Sequence, residues 1–164
     1  MELTIGPRGI LQIDDAKIVY RNFKGEGSKY NREGDRNFSL IIPNREIADK
    51  LIEEGWNVKI KPSNNDEEDE FITLPVKVKF NDRGPQVFIV SGESHRKLKE
   101  DTVAMLDDID IASVDLDIRP YDWTIQEGTP NEKSGRTAYL QSIKVIQNID
   151  RISAQFAEEE YPEE

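Results

Sequence analysis

The stretch NFSLIIPNREIADKLIEEGWNVKIK, Asn37 to Lys61, carries the pattern on which the predicted fold depends. It opens as a strand candidate that Pro43 stops, because proline cannot donate to a sheet ladder. A helix follows: Asn44 is a favourable N-cap, and apolar residues then recur at helical spacing until Gly55 closes the element. After that glycine the residues alternate again between apolar and polar, as in a strand. The stretch therefore predicts a strand, a helix and a strand in that order.

Alternation with a period of two continues through most of the remaining chain. Five further segments show it: Gly9–Phe23, Leu74–Phe80, Gln86–Val90, Ala112–Arg119 and Thr137–Gln147. The turn residues Asn81–Gly84 predict a hairpin that returns the following strand along the preceding one, and Asp101–Ile109 predicts a short second helix. Six to eight short strands with one main helix favour a barrel or a sandwich. We predict an all-β protein, an OB-fold-like small barrel with one main inserted helix and additional strands.

The negative charge of the chain is concentrated in two segments. The 164 residues carry a formal net charge of −11, and ten of the acidic side chains lie in NNDEEDE (Asn64–Glu70) and EEEYPEE (Glu158–Glu164). Blocks of like charge repel one another and usually stay solvated. The remainder of the chain is nearly neutral, so the net charge does not exclude a nucleic-acid partner. We predict one folded domain, residues 1–152, and a flexible acidic tail, residues 153–164.

Several classes of chemistry have no support in the composition. The chain has no cysteine and a single histidine, His95, so no disulfide, thiolate or cysteine–zinc site is expected. No glycine motif of a nucleotide cofactor is present. No apolar run exceeds four residues, so neither a membrane span nor a signal peptide is predicted, and the expected location is the cytoplasm. We predict no catalytic residue, cofactor or metal.

The segment from Arg21 to Leu40, RNFKGEGSKYNREGDRNFSL, gathers cations and rings on a glycine-rich loop. Unpaired nucleic acid exposes its bases, so cations on phosphates and rings on bases bind it without regard to sequence. Phe38 lies within a strand candidate and is assigned to the core, whereas Tyr30 is the predicted stacking residue. The predicted phosphate contacts of this loop are Arg21, Lys24, Lys29, Arg32 and Arg36.

Four lysines occupy alternate positions on two strand candidates. In WNVKIK and LPVKVKF the apolar residues define the inward side, which leaves Lys59, Lys61, Lys77 and Lys79 outside. If the two strands pair, all four share one sheet face, with Arg83 at the adjoining turn. Such lysines also protect sheet edges from pairing with other chains. Like charges side by side need a counter-charge, and either a phosphate backbone or the acidic NNDEEDE loop would supply one.

The segment RPYDW places Arg119, Tyr121 and Trp123 on one side of an extended chain, with Pro120 at a strand edge or kink. An arginine and two rings on one face suit stacked bases. The alternative is that Trp123 plugs an end of the barrel.

One dense carboxylate cluster raises the possibility of metal-dependent cleavage. Paired carboxylates can hold two magnesium ions for phosphodiester hydrolysis, and the cluster contains Asp107, Asp108, Asp110, Asp115 and Asp117. The last two alternate with apolar residues, however, as on a solvated strand face. The acidic tail has a separate predicted role: it lies in the cationic groove until DNA displaces it and then docks basic partner proteins. Its predicted partner-binding residues are Glu158, Glu159, Glu160, Glu163 and Glu164.

Together these segments resemble a family of phage-encoded single-stranded-DNA-binding proteins. The resemblance runs from Ile13 to Arg151 and is carried by DDAKIVYRNFKGEGSKYNREGDRNFSLIIP, EEGWNVKIKP, LPVKVKFNDRGPQV, MLDDIDI, VDLDIRPYDW and GRTAYLQSIKVIQN. It implies an OB-fold, sequence-independent binding of single strands during replication or recombination, and an acidic C-terminal tail used for partners. The tail here ends in acids rather than an aromatic residue, unlike tails whose partner contacts use a terminal ring.

The sequence thus predicts a non-enzymatic protein that coats single-stranded DNA in the host bacterial cytoplasm. Replication or recombination proteins are the expected partners of the tail, and homo-oligomerisation is left open. Two alternatives remain: a metal-dependent nuclease that uses the Asp107–Asp117 cluster, and an acidic protein-interaction module that does not bind nucleic acid.

Overall fold

A computed structural model of the chain describes residues 1–62 and 70–149. Strands dominate this part of the chain, with one α-helix and short 3-10 helices at Pro7–Gly9 and Val103–Asp107. The α-helix, α1, is Arg45–Glu53, and the strands are β1 (Glu2–Ile5), β2 (Leu11–Ala16), β3 (Ile18–Asn22), β4 (Arg36–Ile41), β5 (Lys59–Lys61), β6 (Phe71–Val78), β7 (Gln86–Ser91), β8 (Ser94–Leu98), β9 (Ile111–Ile125) and β10 (Lys133–Gln147). No helix in these residues is long and apolar enough to cross a membrane.

The predicted strand–helix–strand order of the opening stretch is confirmed. Asn44 caps α1, because its side chain accepts a hydrogen bond from the Ile47 amide at 2.9 Å. The helix buries Ala48 and Leu51, and the chain leaves it through Gly55, whose φ of 96° suits glycine. The following strand is shorter than predicted, since only Lys59–Lys61 pair with β6.

The sheet closes into an OB-like barrel. Strands β2 and β3 are separated only by Lys17, and the first pairs with β9 while the second pairs with β4. The order β2-β9-β10-β6-β4-β3 therefore returns to its starting strand. Strands β10 and β6 are parallel and the other neighbours on this path are antiparallel. The predicted all-β barrel with an inserted helix is thus confirmed.

The barrel interior is filled by the inward residues of the alternating strands. Leucine, isoleucine and valine predominate, and Phe23 and Phe38 stack on each other with ring centroids 5.3 Å apart. Phe38 is 1% exposed, so its assignment to the core is confirmed. Burying two such rings removes a large apolar area from water at the base of the loop that they flank.

The hairpin predicted between β6 and β7 is wrong. The turn itself forms, because the Asn81 amide donates to the Gly84 carbonyl at 2.8 Å. However, β7 pairs in parallel with β10 and antiparallel with β8. Strand β6 has no free edge with which β7 could pair, because β4 pairs along one edge and β10 and β5 pair along the other.

Strands β9 and β10 extend further than the sequence predicted. Each has fifteen residues, and their paired ends beyond Pro120 form a two-stranded arm. Pro120 is tolerated inside β9 because the ladder with β2 ends at Ile118, so the proline lies on an edge that needs no donor. The arm carries Tyr121 and Trp123 on its surface.

Candidate nucleic-acid interface

The four lysines of the two alternating segments share one outer sheet face. Lys59 pairs with Thr73 and Lys61 with Phe71 across β5 and β6, and directly opposite residues lie on the same side of a sheet. Lys77 and Lys79 continue that side beyond the buried residues of β6. All four are exposed, and none forms an ion pair with another residue that the structure describes. They form two pairs, separated by roughly 13 Å along the strand.

Strands β9 and β10 continue the same face with an arginine and two tyrosines, of which Tyr121 lies on the arm. Tyr139 on β10 pairs with Lys77 on β6 and with Arg119 on β9, so these residues point to one side. The Arg119 guanidinium lies 4.8 Å from the centre of the Tyr139 ring, and Tyr121 meets that ring edge-on at 6.0 Å. Tyr121 is 53% exposed, which leaves a ring surface open to a ligand.

Trp123 lies on the arm rather than in an end of the barrel. Its Nε1 donates to Thr137 Oγ1 at 3.1 Å, and its six-membered ring rests against Gly135. A Cβ on Gly135 would lie 2.6 Å from Trp123 Cζ2, so only glycine leaves room for the ring. The ring is half-buried and held in one orientation beside Tyr121.

Gly135→Ala is expected to displace Trp123 from the arm. The new methyl group would overlap the indole, and overpacking of this kind costs about 1–3 kcal/mol. We expect a lower Tm and a shifted Trp emission maximum, with the buried Trp56 contributing an unchanged background. Ser134→Ala, one residue away, is the matched control. An unaltered emission spectrum in Gly135→Ala would show that the indole does not rest on the glycine.

The loop between β3 and β4 forms one wall of a groove over this face. A hollow of about 640 Å³ separates the loop from β6 and β10, and it is lined on one side by Tyr30 and Arg32 and on the other by Lys77, Lys79 and Tyr139. Tyr30 is 90% exposed, and the Lys29 ammonium lies 5.7 Å from its ring centre. The structure therefore brings the loop-tip residues Tyr30 and Arg32 opposite Lys77 and Lys79.

Three of the predicted phosphate contacts instead hold the loop in place. Arg21 donates to the carbonyls of Leu106 and Ile109 at 2.6 and 2.8 Å. Arg36 donates to the Phe23 carbonyl at 2.9 Å and pairs with Glu100 at 3.0 Å. These guanidiniums lie at the base of the loop. Their charge is visible in the sequence, but the carbonyl oxygens that accept their hydrogen bonds are not.

Lys24 is the third of these anchored cations. Its ammonium donates to Asp108 at 3.0 Å, and this hydrogen bond raises the pKa of the lysine. The remaining predicted cation, Arg83, lies exposed on the turn after β6, outside the lining of the groove.

Four of the five carboxylates in the Asp107–Asp117 cluster make separate structural contacts, and Asp108 makes its contact with Lys24. Asp110 accepts from the Asn148 side chain at 3.1 Å, and Asp115 pairs with Lys144 at 3.2 Å. Asp107 accepts the backbone amides of Phe23 and Lys24 at 2.7 and 3.0 Å, which ties the loop to the 3-10 helix. No group of three or more metal-ligating side chains occurs in residues 1–62 and 70–149. The nuclease alternative finds no support in this arrangement.

Asp107→Ala is expected to release the base of the loop. Two amides would lose a charged acceptor, and we expect the free energy of unfolding to fall by about 1–3 kcal/mol. Amide hydrogen exchange of Phe23 and Lys24 should accelerate. Asp108→Ala removes only the exposed Lys24 pair and serves as the control, with little effect on stability. Equal protection of both amides in the Asp107 variant and the wild type would contradict the anchoring role.

On its other side the arm is tied to the barrel. Arg136 donates to both oxygens of Asp122 at 2.7 and 3.2 Å, and this pairing lowers the pKa of Asp122 and raises the pKa of Arg136. The same guanidinium lies 5.4 Å from the buried Trp56 ring. The contact with Trp56 packs this side of the arm against the barrel, and Tyr121 lies on the opposite face of the arm.

Three aromatic residues of this face were not predicted as contacts. Tyr139 and Phe71 follow the alternation, because their neighbours Ala138, Leu140 and Ile72 are buried, so the pattern could have identified them. Tyr20 lies 6.2 Å from Phe71 by ring centroids. Its exposure follows from an irregularity in β3 for which the sequence has no signal.

A family model and two solved structures are similar to this chain. A family model described as "phage ssDNA-binding domain" matches residues 5–164. Two solved structures of the single-stranded DNA-binding protein from bacteriophage Enc34 are similar in fold. The C-terminal truncation has 18% sequence identity and a TM-score of 0.53, and the match covers 89% of this chain and 90% of that one.

The second of these structures is the complex with ssDNA, at 17% identity and a TM-score of 0.54, with 90% of this chain and 92% of that chain covered. No curated protein matches the sequence. At such identities the structures show a shared fold, whereas the family model spans nearly the whole sequence. On that match, this chain belongs to the family of phage ssDNA-binding domains.

Proposed function

We propose that this protein coats single-stranded DNA without sequence preference during phage DNA replication or recombination, in the cytoplasm of the host. Binding of single-stranded DNA is the function of its family. The observation that carries the proposed mode is the groove in which Tyr30 and Arg32 face Lys77, Lys79 and Tyr139. OB-folds bind oligonucleotides on this sheet face and between the adjoining loops.

The chemistry of the groove suits an unpaired strand better than a duplex. The exposed rings of Tyr30 in the groove and of Tyr121 on the neighbouring arm can stack only on bases that are free of their partners. Lysines at the rim contact phosphates, which carry no sequence information. We propose that bases face the rings of the arm while the backbone follows the lysines, with Trp123 as a further stacking surface.

A competition assay tests this proposal. In a gel at low salt, the protein should retard the migration of labelled oligo-dT. Unlabelled duplex of equal length should compete poorly for the protein. Magnesium added to the same mixture should leave the labelled strand intact. Equal competition by the duplex would contradict the single-strand mode, cleavage with magnesium would revive the nuclease alternative, and absence of any shift would favour the protein-interaction alternative.

The acidic tail lies outside the described residues, as do all but the last residue of the NNDEEDE segment. We propose that residues 153–164 act separately from the domain of residues 1–152, by competing with DNA and then recruiting replication or recombination proteins. The support is charge complementarity between its five glutamates, Glu158–Glu160, Glu163 and Glu164, and the exposed lysines of the groove, Lys77 and Lys79.

Deleting residues 158–164 is expected to tighten oligo-dT binding at low salt and to weaken the capture of basic partner proteins. Removing the negative charge abolishes the competition for the lysines, and added salt should reduce the difference because it screens these charges. Titrations of the full chain and the truncated chain at two salt concentrations measure the effect. Identical affinities at low salt would contradict the competition.

A further inference from the structure

A second pair of rings stands open on the same face, away from the arm. Tyr20 on β3 and Phe71 on β6 meet edge-to-face with centroids 6.2 Å apart and planes at 87°. Tyr20 is 62% exposed and Phe71 is 36% exposed. Two exposed rings in contact form a contiguous aromatic patch, and such patches mark interaction sites on protein surfaces.

The outward position of Tyr20 depends on a bulge in β3. Val19 pairs with Ser39 and Asn22 with Asn37, so β3 uses one residue more than β4 between the two pairs. Val19 shares the outer side with Ser39, and the next residue of a regular strand would face inward. The bulge turns Tyr20 outward instead, with a φ of 55°. A bulky side chain at positive φ is strained, and such strain persists mainly at functional sites.

Two cations flank the rings. Lys59 and Lys61 line a hollow of about 320 Å³ together with Tyr20 and Phe71. Neither lysine forms an ion pair with another described residue. Rings that expose their faces beside unpaired ammonium groups match the two parts of a nucleotide, its base and its phosphate.

The hollow adjoins the groove described above. Ser39 and Pro75 line both, and they lie between the Tyr20–Phe71 pair and the Tyr30–Tyr139 side. A single strand of DNA that leaves the groove across Ser39 and Pro75 reaches the second pair of rings without crossing the barrel.

We propose that Tyr20, Phe71, Lys59 and Lys61 form a second nucleotide subsite, in which a base stacks on the rings and the flanking phosphates contact the lysines. This inference rests on the proposed function and extends it, because it gives the path of the bound strand from the arm to β3. Affinity should therefore increase with strand length until both subsites are occupied.

Two variants remove the rings while preserving the backbone. Tyr20→Gly removes the ring and also relieves the positive φ, so the variant should fold at least as well as the wild type. Phe71→Thr keeps a residue that favours strands. Tyr20→Phe retains a ring, and Gln126→Gly makes the same change at another left-handed position, φ 52°, at the arm tip.

Binding of oligo-dT of about 16 and about 4 nucleotides distinguishes the subsites, since OB-folds cover strands within this range. For the long strand, Tyr20→Gly and Phe71→Thr should each weaken binding about tenfold, as expected for one lost stacking contact. The two control variants should match the wild type. Quenching of Trp123 fluorescence by the short strand should be unchanged in all four variants. An iodouracil-substituted long strand should crosslink under light to the peptide that contains Tyr20.

The outcomes separate the subsite from the proposed function. If the wild type binds the long strand, Tyr121→Ala weakens it, and Tyr20→Gly and Phe71→Thr do not, the subsite is overturned and the proposed function stands. If the wild type binds neither strand, the proposed function itself is overturned. Weaker binding by both variants, with the crosslink at Tyr20, supports the subsite.

Discussion

Alanine at both Tyr121 and Tyr139 is expected to weaken the binding of single-stranded DNA by about two orders of magnitude. Stacking on an aromatic side chain stabilises a bound base by about 1–3 kcal/mol, and each about 1.4 kcal/mol corresponds to a tenfold change in affinity. Two lost stacking positions therefore account for an effect of this size. Fluorescence anisotropy with labelled oligo-dT at constant low salt measures it.

The two rings act as one surface, which is why the double variant is informative. Tyr139 supports Tyr121 edge-on at 6.0 Å and also carries the Arg119 guanidinium at 4.8 Å. Tyr121→Ala leaves the Tyr139 ring with its cation in place, and Tyr139→Ala leaves the Tyr121 ring, so we expect each single variant to retain part of the stacking. The excess of the double variant over the sum of the singles measures their coupling.

The controls separate stacking from general loss of aromatic surface. Phenylalanine at the same two positions keeps the rings and should bind like the wild type. Phe88→Ala removes an exposed ring, 42% accessible against 53% for Tyr121, from β7 outside the groove. The Tm of every variant monitors folding. Wild-type affinity in the double alanine variant, with the fold intact, would mean that bases do not contact the arm.

The sequence predicted the parts of this site that depend on alternation. A period of two assigns each strand residue to the inside or the outside, and the outward set of WNVKIK and LPVKVKF is the lysine face. Pairing of these two strands, which the same pattern only suggested, is present in the structure. The helix between the strands could be predicted as well, because the N-cap that Asn44 provides is a local interaction.

Features that depend on distant partners could not be read in this way. The charge of Arg21 is visible in the sequence, but the carbonyls of Leu106 and Ile109 that bind it are more than eighty residues away. The partner of β7 is likewise decided by which sheet edges remain open. The bulge at Tyr20 reverses the alternation at one residue, so a strict period assigns that ring to the wrong side.

The cations of the loop between β3 and β4 divide according to their position. Arg21 and Arg36 lie at its base, bind carbonyl oxygens and stabilise its orientation. Arg32 and Lys29 lie near its tip and stay exposed beside Tyr30. A loop that is rigid at its base and cationic at its tip can close over a strand without first being ordered, which lowers the entropic cost of binding.

Glutamine at both Lys77 and Lys79 is expected to reduce affinity at low salt and to flatten its salt dependence. Each lysine that neutralises a phosphate of a single strand contributes about −0.7 to the slope of log affinity against log salt. Losing both should therefore reduce the magnitude of the slope by about 1.4. Titrations at several salt concentrations give the slope directly, and the affinities of wild type and variant should converge at high salt.

Lys50→Gln combined with Lys97→Gln provides the matched control, because it removes the same net charge from α1 and β8, outside the groove. This pair should lower affinity only through the general field and leave the slope nearly unchanged. If both double variants changed the slope equally, the protein would attract DNA by its overall charge and not by contacts at β6. A slope change confined to the Lys77 and Lys79 variant, together with the stacking loss at the arm, would place phosphates on β6 and bases on β9 and β10. The two results together would show which side of the bound DNA strand faces the sheet. Neither double variant shows this alone.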